Sequence, residues 1–163
     1  MSDTEIISKI NSFRDACKIL ETSGLEHSRH PLLKQWEDVE MTGVRLTRQT
    51  EAFMKLCIIT AAYNQGWYAD MMDKDAEYRI PAFAEVGDRT VEYLGGYQDK
   101  PKKVYTAGNG RKYYYMFSMC KDFTYKDGCN EPDNVPLLGL KNEALADAAA
   151  ITFADIYIQY MFG

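Results

Sequence analysis

His27 and His30 stand at His-x-x-His spacing with Glu26 alongside, so in a helix or tight turn both imidazoles could reach one Zn²⁺. Arg29 and Pro31 make the surroundings a polar loop, which preorganises a metal cage poorly, and no metal is assigned there. Asp70, Asp73, Asp75 and Glu77 offer hard oxygen donors for Mg²⁺ or Ca²⁺ and could serve a hydrolase. They lack the central Gly of an EF-type loop, and a solvated acidic loop is the simpler reading. No Gly-rich phosphate loop, nucleophile elbow or Cys–His pairing in a plausible frame is present. The sequence therefore assigns no catalytic residue and no cofactor.

One surface does stand out: Lys103, Tyr105, Lys112, Tyr114 and Met116 flank the turn Ala107-Gly108-Asn109-Gly110. If Gly108-Asn109 forms a two-residue turn, Tyr105 pairs with Lys112 and Lys103 with Tyr114, and all five share one face of a hairpin. Such a cationic, aromatic patch can stack on a base or sugar, at about 1–3 kcal/mol per stacked base, while Lys meets a phosphate. It can equally form a protein interface, where Tyr and Met are enriched. Were the terminal helix or the 25 to 44 segment to cover this face, its tyrosines would be ordinary sheet residues. A three-residue turn would shift the register by one and send Tyr105 to the core side.

These residues need a scaffold, and the clearest part of it is the stretch 112 to 126. Tyr113, Tyr115, Phe117, Met119, Phe123 and Tyr125 fall on one side at period two, broken only by Lys121, against Lys112, Tyr114, Met116, Ser118, Cys120, Asp122, Thr124 and Lys126 on the other. This is the alternation of a half-buried antiparallel strand, paired through the Gly-Asn turn with Val104-Tyr105-Thr106. Tyr78 to Phe83 reads as a further strand that Pro81 confines to an edge, and Thr90 to Leu94 as a short one.

Helices are expected at 13 to 21, after the cap Ser12 with Asp15 at its third position, and at 47 to 65. In the second, Phe53, Leu56, Cys57, Thr60, Ala61 and Asn64 line one face, and Ile58, Ile59, Ala62 and Tyr63 widen it enough to be buried on two sides, with Gly66 as its stop. A third helix is expected from 142 to 162, with Leu145, Ala149, Phe153, Ile156 and Tyr160 on one face. Leu32, Leu33, Trp36 and Val39 form a helical stripe after Pro31, and Ile6, Ile7 and Ile10 suit a short helix or a strand equally. The expected fold is α+β: a small antiparallel sheet around a 104–125 hairpin, with about three helices packed on its odd-numbered face.

The chain has 163 residues, 46% hydrophobic and 26% charged, which suits a single globular domain over 1–163. A net charge of -5 disfavours a broad grip on nucleic acid or an anionic membrane surface. No apolar run approaches the ~20 residues of a membrane span, and the acidic opening Met1-Ser2-Asp3-Thr4-Glu5 does not resemble a secretory signal. With four Cys and no Cys-x-x-Cys pair, the expectation is a cytoplasmic protein with reduced thiols. Cys120 and Cys129 flank a turn and could approach each other.

Four segments in order, Ser12-Phe13-Arg14-Asp15-Ala16-Cys17-Lys18-Ile19-Leu20, Lys55-Leu56-Cys57-Ile58-Ile59 through Asn64-Gln65-Gly66-Trp67, Tyr78-Arg79-Ile80-Pro81-Ala82-Phe83, and Leu140-Lys141-Asn142-Glu143-Ala144-Leu145-Ala146 with Phe153 and Tyr157, carry a resemblance. The chain resembles a family of small uncharacterised proteins from gut Bacteroidales, their prophages and their phages. Asn142 stands where that family has Ser, and it still suits an N-cap. The resemblance implies a mobile-element or bacteriophage origin and a cytoplasmic or virion context, and it carries over no catalytic residue. The functional expectation is a non-enzymatic accessory protein that binds a protein partner, either a host factor or a virion or self-assembly partner. The alternative is a small-ligand, nucleotide-type binder using the Tyr/Lys patch.

Overall fold

The computed structural model describes residues 1–23, 30–68, 77–87, 103–122 and 136–163. His27, Asp70, Asp73, Asp75, Cys129, Phe123, Tyr125 and the strand expected at Thr90 to Leu94 lie outside these residues. The described chain runs α1 (Asp3–Lys9), α2 (Phe13–Ser23), α3 (Pro31–Thr42), α4 (Arg48–Asn64), β1 (Glu77–Glu85), β2 (Val104–Thr106), β3 (Lys112–Asp122), a 3₁₀ turn (Pro136–Leu138), α5 (Glu143–Thr152) and α6 (Ala154–Phe162). The three strands form one antiparallel sheet in the order β1-β3-β2, and the fold is α+β. No helix among the described residues is long and apolar enough to cross a membrane.

Helix α4 lies at the centre of the core. The Thr47 hydroxyl accepts the Thr50 N–H at 3.1 Å and starts the helix, while Gln65 at φ 50 and Gly66 at φ 87 end it in the left-handed region. Between these caps Leu56, Cys57, Ile58, Ile59, Ala62 and Tyr63 are all buried, the two-sided burial that a stripe this wide requires. Asn64 closes the helix with a clamp: its Nδ2 donates to the Gly139 carbonyl at 2.8 Å and its Oδ1 accepts from the Lys141 N–H at 3.0 Å. That fixes the segment whose Leu140 bridges Arg79 of β1 through two backbone bonds of 2.8 Å. Pro81 sits on this edge strand, as its missing N–H demands.

Six α-helices stand among the described residues where about three were expected. Ser2 and Glu5 form a capping box that resolves Ile6 and Ile7 into helix α1, with Ile10 as its extended C-cap, and the His30 Nδ1 accepts the Leu32 N–H at 3.2 Å to start α3. The helix expected over 142 to 162 is broken at Phe153, whose φ of -119 and ψ of 29 leave the helical region. The break lets α6 turn onto α4, with the Phe153 ring edge-on to Tyr63 at 6.5 Å.

The long strand corrects a second expectation. Ala82 pairs with Phe117 but the next residue, Phe83, pairs with Tyr115, so Met116 is the extra residue of a β-bulge in β3. A bulge reverses the parity beyond it. Tyr113 is buried and Tyr115 partly so, but Phe117 is 55% exposed and Ser118 is buried instead. The odd-numbered residues are therefore core residues only up to the bulge.

Candidate functional site

The turn joining β2 to β3 decides where the predicted patch lies. Gly110 N–H donates to the Ala107 carbonyl at 3.0 Å and Ala107 N–H to the Arg111 carbonyl at 2.9 Å, with Gly110 at φ 81. This is a three-residue turn closed by a left-handed Gly. The ladder then pairs Tyr105 with Tyr113, Val104 with Tyr114 and Thr106 with Lys112. Lys103, Tyr105, Lys112, Tyr114 and Met116 consequently do not share one face. Tyr105 joins Tyr113 on the core side, with the Lys103 ammonium 5.1 Å from its ring centroid. Lys112 and Tyr114 lie on the opposite side, and Met116 is the bulge residue.

On the core side Tyr105 borders a cleft of about 520 Å³ between β2, α4 and α6. Arg48, Ala52 and Lys55 recur at helical spacing on the α4 wall, and Asp155, Ile156 and Gln159 face them from α6. A second lobe of about 150 Å³ shares Arg48, Gly108 and Gln159 with the first and reaches Phe162, whose ring stacks on Tyr113 at 4.3 Å. Sequence reasoning missed every helical residue of this cleft. Arg48 and Asp155 are 107 residues apart, and only the turn of α6 at Phe153 brings its face opposite α4.

The polar groups here differ in how they are held. Lys55 is tied to Glu51 at 2.8 Å and lies 5.6 Å from the centroids of both Phe13 and Trp36, so it braces α2 and α3 against α4. Arg48, Asp155 and the Gln159 amide make no side-chain hydrogen bond or ion pair among the described residues. Partial burial pushes the Tyr105 phenol above its ordinary pKa, so it remains a neutral donor and acceptor in the physiological range.

Other chemically capable groups lie away from the cleft. Tyr115 donates to Asp147 of α5 at 2.5 Å, and burial together with that carboxylate raises its pKa. Thr60, Tyr63 and Tyr157 bury hydroxyls in the core, and burial raises both phenols. His30, one half of the His-x-x-His pair, is used as a helix cap. Among the described residues no group of three His, Cys, Asp or Glu could hold a metal ion. No family model, no curated protein and no solved structure matches the chain.

Proposed function

We propose that the protein acts by binding rather than by catalysis, and that its site is the cleft between β2, α4 and α6, which takes a small organic ligand. The carrying observation is that Arg48, an exposed guanidinium with no ion pair among the described residues, and the half-buried Tyr105 line one cleft of about 520 Å³. That volume falls within the ~300–1,000 Å³ typical of small-molecule sites. A flat apolar group rests on Tyr105 and the aliphatic wall, and Arg48 takes an anionic group. Thermal denaturation against nucleotides, amino acids and sugars tests this. A ligand at 100 times its dissociation constant adds about 2.7 kcal/mol of stability, and Arg48→Met should remove that gain. A panel that leaves the wild-type transition unmoved refutes the reading.

A second reading keeps the chain as a bacteriophage or mobile-element accessory protein working in a cytoplasm by binding a protein partner. It draws on Phe117, 55% exposed beside the bulge, and Val104, 41% exposed on β2, large apolar groups of the kind that anchor interfaces. The half-buried and buried thiols of Cys17 and Cys57 suit a reducing compartment. Affinity capture from the native host with wild type and Phe117→Asp tests it: a partner lost in the variant supports the reading, and strictly monomeric protein that captures nothing removes it.

A further inference from the structure

Two opposite charges face one space in the cleft without meeting. Arg48 is the first residue of α4, where a helix dipole disfavours a cation, and the first-turn carboxylate beside it, Glu51, is paired with Lys55 rather than with Arg48. Asp155 stands on the opposite wall in the first turn of α6, and it caps nothing, because that helix has no side-chain cap bond. Neither residue pairs with the other, whereas Glu51 and Lys55 on the same α4 wall do pair. The Arg48 side chain lies by the hairpin turn, one Nη atom 3.8 Å from the Cβ position of Gly108, and Asp155 stands just past the helix break at Phe153. Ala52, Ile156 and Tyr105 line the same cleft.

From this arrangement we infer that the ligand is a zwitterion of amino-acid to dipeptide size, its carboxylate held by Arg48 and its ammonium by Asp155. Its apolar side chain lies over Tyr105 and Ile156. This rests on the small-ligand reading above and narrows it to a chemical class. A simple anion would leave Asp155 unmatched and repelled, and a simple cation would do the same to Arg48. A molecule carrying both charges matches both walls at once, and each charge-assisted contact is directional enough to discriminate.

The test is calorimetric titration of the full chain with L-phenylalanine and L-leucine, and with phenethylamine and 3-phenylpropionate as the single-charge analogues of phenylalanine. The zwitterion should bind at least tenfold tighter than either analogue, or about 1.4 kcal/mol. Arg48→Met should erase the preference over phenethylamine and keep that over 3-phenylpropionate, and Asp155→Asn should do the reverse. This crossed pattern is not produced by a variant that merely loosens the fold. Equal binding of zwitterion and analogues overturns the inference. Binding of another compound in the wider panel that depends on Arg48 but not on Asp155 overturns the zwitterion class while leaving the small-ligand reading standing. No heat and no thermal shift with any compound overturns both.

Discussion

Two phenylalanines show how strongly one residue's energetics depends on where the backbone carries it. Phe153 is 4% exposed and packs against Tyr63, whereas Phe117 is 55% exposed although its place in an alternating strand had made it look like core. Phe153→Ala should therefore cost about 3–5 kcal/mol in denaturant unfolding, and Phe117→Ala less than about 0.5 kcal/mol. Comparable losses at both positions would contradict the bulge at Met116. Asn64 was legible in the sequence only as a position on the buried stripe of α4. Its two bonds to residues 139 and 141 were not, because their acceptor and donor come from a segment some 75 residues later, and local pattern does not encode such partners. The candidate site was hidden for the same reason. Tyr105 could be singled out from the sequence, but its sharing a cleft with Arg48 depends on tertiary placement alone.

At the scale of elements, the hairpin and the helix caps carry the argument. The run Ala107-Gly108-Asn109-Gly110 admits both a two-residue and a three-residue turn, since Gly and Asn suit either, and one residue of difference exchanges the faces. The strands were thus readable and their register was not. Because Gly110 sits at φ 81 with nothing within 4 Å of its Cβ position, Gly110→Ala meets backbone strain only. It should cost about 1–2 kcal/mol by thermal unfolding, with Gly110→Asn losing less. Helix α1 makes a prediction about acid. The Ser2 backbone N–H and then its hydroxyl hold the Glu5 carboxylate below its ordinary pKa of 4.5. A depressed carboxylate contributes stability above the unfolded pKa and loses it as pH falls through the folded one. Wild type should exceed Glu5→Ala in stability by a constant margin above about pH 5, and that margin should shrink as pH falls below 4.5. A pH-independent margin in urea titrations would show that the carboxylate is not the capping group.

For the whole molecule, the buried residues of α1, α2, α4, the strands, α5 and α6 belong to one hydrophobic cluster, and its opening is open to chemical measurement. Cys57 lies inside it with its thiol pushed up to about 11 by burial, while Cys120 is exposed. In pulsed alkylation at pH 8, Cys57 should react only as fast as the core opens, so denaturant should accelerate it in step with global unfolding. Immediate modification of Cys57 would place it outside the core. The broad class was readable because alternation and helical stripes are local, whereas the breaks at Met116 and Phe153 answer to packing between distant segments. One such contact has a further consequence. The Asn142 side-chain amide donates to the Asp3 carboxylate at 2.7 Å, so α1 packs in part against the start of α5. During synthesis, at about 5–20 residues per second, Ile6 and Ile10 emerge first yet wait roughly 7–30 s for the last of their cover to leave the ribosome. Over that interval α4 is the earlier element that α1 has to pack against.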